Sequence, residues 1–281
     1  MSLVAAPLGS PAFLPPLVSL LQSSGDQLGT SVNRLASGNR IINAGDDIAL
    51  LSIAAGLQAQ NAGLRQASSN VAQGSSLVQV ASGGLAQISA LLTAMQAIAQ
   101  QANTVALTAA QRGFLQEKFS SDFSQIDSIA GATSFNNIKL LDGTLAGGIN
   151  IQAGTRSTDV ITVAIANAGT GAIFSGTPNL ATPGAAAAAE TAVTNASNAV
   201  QTIISHVNGL QDAIDAASAS LTQSTGGTTS ANSNLVDTDL TAESSNFVHE
   251  SIQVNAGTAV LAQAYTLPPQ LLRLLKPMGH A

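Results

Sequence analysis

Residues 57–102 read LQAQNAGLRQASSNVAQGSSLVQVASGGLAQISALLTAMQAIAQQA. Steps of seven from Leu57 meet Leu64, Val71, Val78, Leu85, Leu92 and Ala99. Three places after each stand Gln60, Ala67, Gly74, Ala81, Ile88, Met95 and Ala102, mostly small or apolar. An a/d pattern of this length predicts a coiled-coil-like helix, and a strict period of seven asks for left-handed supercoiling against a partner helix. The partner lies in the other half of the chain. Val193, Val200, Val207, Ile214 and Leu221 repeat by seven, interleaved with Ala196, Ile203, Leu210 and Ala217. The middle of the chain must therefore fold back so that the two heptad helices meet antiparallel.

Composition sets the character of this core. The chain has 281 residues and 45% hydrophobic content, but aromatics are 3% and Trp is absent. The apolar share is largely Ala, so the core is expected to be long and thin. Charged residues are 9%, low for a surface that must keep a monomer soluble. Much of the surface is therefore expected to be Ser, Thr, Asn, Gln and Ala, or covered by neighbouring subunits. The net charge is −6 and the cations are scattered singly, so nucleic-acid binding has no basic patch to rest on. Cys is absent, which removes disulfide and thiol chemistry.

Taken in order, residues 1–33 carry a single charge, Asp26, and lack the basic start of a secretory signal peptide. The apolar run 3–21 is interrupted by Pro7, Pro11, Pro15 and Pro16, which argues against a membrane span, and a helix is expected from Leu17. Residues 38–47 read as a loop, with Asn43 or Asp46 capping the long helix and the Asp46–Asp47 pair favouring its positive end. A cation site at that pair would need further ligands. The long helix is expected over about residues 48–105, roughly 85 Å at 1.5 Å per residue. Its glycines 56, 63, 74, 83 and 84 cost together about 4–5 kcal/mol against Ala, so it should depend on packing.

A second helix is expected over 108–129, with Leu115, Phe119, Phe123, Ile126 and Ile129 as its apolar stripe and Glu117, Lys118, Asp122 and Asp127 on a solvated face. Residues 134–143 read as irregular chain ending in a turn. Alternation at Ile149, Ile151, Ala153 and at Ile161, Val163, Ile165 predicts a β-hairpin lying on the helices. Residues 167–184 have no period and read as a turning loop. The third helix opens at the Ala run from 185 and should weaken near 224–229, where Gly and Thr are poor helix formers. The stretch from 239 is helical in composition until Pro268–Pro269. The end of the chain, with two cations, is expected to be buried in another protein surface rather than in a membrane. The fold class is thus mainly α, long antiparallel heptad helices in a rod-like bundle with a small β-hairpin region.

Enzyme chemistry finds no support. His206, His249 and His280 are isolated, His249–Glu250 lacks the second His of a zinc motif, and no nucleophile elbow or phosphate loop is present. No cofactor or metal is called for.

Three segments carry a family resemblance. VNRLASGNRI at 32–41 followed by NAGDD at 43–47 resembles the "ERLSSGLRINSAKDD" segment of bacterial flagellins. SFNNIKLL at 134–141 and AGTAVLAQA at 256–264, the latter close to that family's "AGTAVLAQAN", follow in the right order. The likeness covers about residues 20–165 and 190–275. It implies a subunit of an extracellular filament, exported unfolded through the flagellar secretion channel without a cleaved signal. It also implies a homopolymer or co-polymer with other flagellins, with an export chaperone and cap or junction proteins as further partners. By the same resemblance, residues 1–45 and 236–281 would line the channel. Residues 46–165 and 185–235 would form the two halves of the rod, and residues 166–184 would replace the outer domains. Interface residues carried over are Arg34, Leu35, Arg40, Asn43, Asp46, Asp47, Phe135, Asn136, Ala256, Gly257, Val260, Leu261 and Gln263. The prolines of residues 1–16 and the tail 276–281 depart from the family pattern. So does LTAMQAIAQQA at 92–102, which in receptor-activating flagellins resembles "LQRVRELSVQA"; Ala94, Gln96 and Ala97 replace its two arginines and its glutamate. A flagellin-like surface protein binding polysaccharide or host surfaces is the alternative of a different class, with one Tyr and no Trp for sugar stacking. A junction protein is a third possibility, against which the AGTAVLAQA ending speaks.

Overall fold

The computed structural model describes residues 14–43 and 45–274, with the side chains of 14 and 264–274 left aside. Pro7, Pro11 and the tail from 275 therefore lie outside the described residues. The elements in order are α1 (Leu14–Ser37), α2 (Ile48–Ala102), α3 (Ala109–Ala132), β1 (Ser134–Phe135), β2 (Ile138–Lys139), a 3-10 turn (Thr144–Gly147), β3 (Ile149–Gln152), β4 (Val160–Val163), α4 (Thr170–Ile173), α5 (Pro183–Val236) and α6 (Leu240–Leu274). The chain divides into two compact units, one of residues 1–58 and 229–281, the other of 59–228.

The larger unit is built on the heptads. From Leu64 onward each expected a/d position of α2 is buried, as are Val193, Ala196, Val200, Ile203, Val207, Ile214 and Leu221 of α5. Leu57 is half-buried and Gln60 exposed, so the packed seam begins one heptad later than the pattern does. Two side-chain bonds fix the antiparallel sense: Thr194 Oγ1 donates to Gln96 Oε1 (3.3 Å) and Gln211 Nε2 to Ser75 Oγ (3.1 Å). By length and composition α2 could cross a membrane; from Leu64 its apolar stripe is instead the wall of this core.

Helix ends follow local chemistry. Asp47, rather than Asn43 or Asp46, caps α2, its Oδ1 accepting from the Leu50 N–H at 2.9 Å. Asp46 is turned back to accept from Ile42 N–H and Asn43 N–H, both at 3.0 Å. Thr108 and Gln111 form a capping box at the start of α3. Pro15 and Pro16 sit in the first turn of α1, where their missing N–H groups are no loss.

Four expectations are corrected. Helix α5 runs unbroken through 224–229. There Thr228 Oγ1 donates to the carbonyls of Ser224 and Thr225, and the adjoining glycines keep helical backbone. Helix α6 continues past Pro268–Pro269 to Leu274; proline fits helical φ and forfeits one bond per ring. Residues 134–139 are a tight antiparallel pair whose turn residues Asn136 and Asn137 both have positive φ, 47° and 66°. Asn tolerates this region, and such turns match strand twist. Residues 167–184 are a packed plug, with Ala168, Thr170, Ile173, Phe174 and Leu180 buried. Asp127 holds α4 by accepting from Thr170 N–H (2.7 Å) and Oγ1 (2.6 Å), Gln116 Oε1 accepts from Leu180 N–H (2.6 Å), and Phe174 meets Phe123 with centroids 5.1 Å apart. The hairpin β3–β4 forms in the register implied by alternation, with Ile149 opposite Val163 and Ile151 opposite Ile161.

Two charged side chains of α3 turn inward: Asp122, against the solvated face expected for it, and Arg112. Arg112 is buried and caps the end of α2: Nη1 donates to the carbonyls of Ala102 (3.1 Å) and Thr104 (3.0 Å), Nη2 to that of Leu107 (2.7 Å). The Ala102 carbonyl is one that a helix terminus leaves unpaired, while Thr104 and Leu107 lie in the loop that follows. Asp122 is buried and paired with Lys118 at 3.3 Å.

Candidate assembly surface

The smaller unit is held together differently from the larger one. Helices α1 and α6 pack antiparallel, Leu21 beside Gly257 and Arg34 beside Glu243. Gly257 gives this contact its room: a Cβ there would stand 2.6 Å from Leu21 Cδ2, so the leucine would have to shift. Arg40 closes the end of α5, its N–H donating to Val236 O (2.6 Å) and its Nη2 to Leu235 O (2.9 Å). Thr238 N–H donates to Gly38 O at 2.9 Å, and Asn39 bridges to Asp237.

Inside this unit little is dry. Among the described residues its buried apolar side chains are Ile41 and Ala54, and the rest of the buried core belongs to the larger unit. Ser24, Ser31 and Glu243 are buried instead. Arg34 and Glu243 form an ion pair at 3.9 Å, too long for a hydrogen bond. Arg34 Nε, Glu243 Oε1, Glu250 Oε2 and Asn232 Oδ1 are buried without a hydrogen-bond partner. Leaving such groups unpaired costs about 1–3 kcal/mol each, more where charged. Among its described residues, ten large apolar side chains are 38–74% exposed: Leu20 and Val32 on α1, Ile42 before α2, Ile48, Leu51 and Ile53 on its first turns, and Leu240, Val248, Ile252 and Val260 on α6. Leu240 and Val248 line a shallow groove of about 710 Å³ with Thr241, Ser244 and Ser245.

Among the described residues of this unit, Asp46 has its ionisation clearly biased. The N–H groups of Asn43 and then Ile42 hold its carboxyl below the usual range; desolvation opposes them and Arg34 adds to them. Asp142, in the larger unit, is held low mainly by the Thr144 N–H, with help from its hydroxyl and the charge of Lys139, again against desolvation.

The residues expected from sequence are thus divided. Arg34, Leu35, Arg40, Asn43, Asp46, Asp47, Ala256, Gly257, Val260, Leu261 and Gln263 fall in the smaller unit; Phe135 and Asn136 fall in the larger one. Leu35 and Leu261 are half-buried, whereas Val260 and Ala256 are exposed. The exposed row on the first turns of α2 lay outside that set, although the run IALLSI at 48–53 announces it in the sequence. Among the described residues no cluster of three or more His, Cys, Asp or Glu side chains could hold a metal ion.

Comparison with known proteins finds two matching regions. Residues 17–146 match the bacterial flagellin N-terminal helical region, and residues 191–275 the bacterial flagellin C-terminal helical region. The chain belongs to the bacterial flagellin family. The flagellin of Halalkalibacterium halodurans is 31% identical over 258 residues, covering 88% of this chain and 91% of its own. That of Bacillus subtilis is 31% identical over 289 residues, covering 91% and 95%. The crystal structure of Bacillus cereus flagellin matches with a TM-score of 0.50 and 25% identity over 54% of this chain and 88% of that one. A protein described as a flagellar hook-associated protein of Vibrio parahaemolyticus has a TM-score of 0.57 over 68% of this chain and all of its own, at 15% identity, a likeness of fold alone. Between its two matched flagellin regions the chain has a short stretch, so it is a short flagellin without outer variable domains.

Proposed function

We propose that this flagellin is a structural subunit of the extracellular bacterial flagellar filament, serving motility, and that the unit of α1 and α6 is its principal joint to neighbouring copies. The observation that carries this is the contrast between the two units. One buries a continuous core; the other, among the described residues, exposes ten large apolar side chains and leaves buried polar atoms without hydrogen-bond partners. Full burial of such a side chain contributes about 1.5–3 kcal/mol. Half of that from ten side chains is about 10 kcal/mol, within the range of about 4–15 kcal/mol that association costs in lost freedom. Assembly by a heterologous contact that does not close gives an open helical polymer.

On this reading the residues from Arg34 to Asp47 and from Ala256 to Gln263 act at the joint. Arg40 holds its loop to the end of α5, and Gly257 permits the close approach of α1 to α6. Phe135 and Asn136 serve a second contact in the larger unit. Residues 1–45 and 236–281 line the filament channel, with 46–165 and 185–235 as the next shell and 166–184 standing where outer domains would be. The role is structural, not enzymatic. Export in an unfolded state through the flagellar channel, guided by a chaperone, and capping or junction partners at the filament ends belong to the same proposal.

The test is seeded growth. Purified protein is mixed with short flagellar seeds, pelleted and imaged by electron microscopy. Filament elongation is the expected result. Protein that stays monomeric beside a control flagellin that polymerises would overturn the proposal.

A further inference from the structure

Three helical glycines have no packing reason to be glycine. A Cβ at Gly56 of α2, or at Gly226 or Gly227 of α5, would meet nothing within 4 Å, and none of the three has positive φ. They stand where the long helices pass from one unit into the other. Helix α2 crosses between residues 58 and 59 and α5 between 228 and 229, so each glycine lies within three residues of a crossing. The same stretches bury no side chain. From residue 55 to 63 on α2 and from 222 to 236 on α5 every residue is exposed or half-buried. The heptads continue through both, but with polar residues: Gln60 on α2, Ser224 and Thr228 on α5. Thr228 Oγ1 turns back on its own helix, donating to the carbonyls of Ser224 (2.9 Å) and Thr225 (3.1 Å), a bond that favours bending.

Within the packed seam the glycines are held differently. Gly63, Gly74 and Gly84 each have a side chain within 3.1 Å of where a Cβ would stand. Gly83 and Gly209 are open, but seam residues flank them: Ala81 and Leu85 beside the one, Val207 and Leu210 beside the other. At the crossings, bare glycine and an empty seam coincide. Sharp bends in helices are found at glycine and serine, and each glycine favours local opening about fivefold over alanine. Packing that would oppose the bend is missing there.

We propose that α2 and α5 share a hinge, at Gly56 on one and Gly226–Gly227 on the other, about which the two helices bend while the seam that begins at Leu64 and Leu221 stays closed. A few element positions that absorb the backbone change are what a hinge consists of. The hinge is a property of the single chain and does not rest on the filament reading. Within a filament it would let the unit of α1 and α6 follow its neighbours without disturbing the larger unit's core.

The chain has no Cys, so paired spin labels can be placed freely in the full-length monomer. Ser52→Cys with Gln66→Cys spans the α2 crossing, and Ser220→Cys with Asn234→Cys the α5 crossing, each over 14 residues, about 21 Å of helix. Ser76→Cys with Ala90→Cys gives the same span across Gly83 and Gly84 inside the packed seam. All six positions are exposed. Pulsed electron resonance should return distance distributions at least twice as wide across either crossing as across the control. Gly56→Ala, Gly226→Ala and Gly227→Ala together should narrow both to the control width. These alanines meet no neighbour, so the variant should melt at or above the parent. Crossings as narrow as the control would overturn the hinge. Wide distributions that the three alanines leave unchanged would overturn it too, since the smaller unit would then be fraying as a whole. Gly209→Ala, away from the crossings, should change neither width; narrowing by that substitution alone would equally overturn the proposal.

Discussion

Gly84 of α2 lies directly beneath Leu141: a Cβ at 84 would stand 2.8 Å from Leu141 Cδ1 and 2.6 Å from Thr133 Oγ1. Leu141 is fully buried and cannot swing away. Gly83, its neighbour, has nothing within 4 Å of the same position.

These two glycines should therefore respond oppositely to one substitution. Gly83→Ala gains helix propensity, about 1 kcal/mol, with no packing cost. Gly84→Ala gains the same but overpacks the core, a cost of about 1–3 kcal/mol. Thermal melts should show Gly83→Ala at or above the parent and Gly84→Ala below it. Equal shifts of the same sign would mean that close packing at 84 is not what holds the glycine there.

Arg112→Met removes three bonds from a buried guanidinium, one to the α2 terminus and two to the loop after it. Hydrogen bonds to charged groups contribute about 1.5–3 kcal/mol each before the loop relaxes. We expect a loss of about 2–4 kcal/mol in urea unfolding, with faster amide exchange over residues 103–108. Arg112→Lys should recover little, because a single ammonium cannot span three carbonyls.

Acid should loosen the 42–47 loop. A carboxyl whose folded pKa is depressed contributes stability that is complete above its unfolded value, about 3.9, and is lost as pH falls through the lower folded value. Asp46 is such a group, through Asn43 and Ile42 first and Arg34 last. The amide signals of Ile42 and Asn43 should shift together with Asp46 below about pH 4, and Asp46→Asn should abolish that common transition. Independent titration of the two amides would contradict this.

Receptor signalling should be weak. Segment 92–102 lacks the arginines and glutamate of the flagellin segment it resembles, and Gln96 is engaged with Thr194 on α5. Purified protein applied to cells reporting the vertebrate flagellin receptor should need far more than a control flagellin for equal response. A matching dose response would refute the expectation.

What sequence alone determined is what depends on local period and on caps. The heptads at Leu64 to Ala102 and Val193 to Leu221 specify two long helices and their buried faces, because a seven-residue repeat keeps one stripe toward one partner whatever else the chain does. Alternation at 149–163 specifies the hairpin, because the strand period is two. The flagellin-like motifs were legible for the same reason: they are contiguous. What only the tertiary structure decided depends on groups far apart in the chain. Asp127 and Thr170, Gln116 and Leu180, and Phe123 and Phe174 turn an aperiodic stretch into a packed plug. Arg112 reads as one more polar residue until the end of α2 is seen to lack partners for its carbonyls.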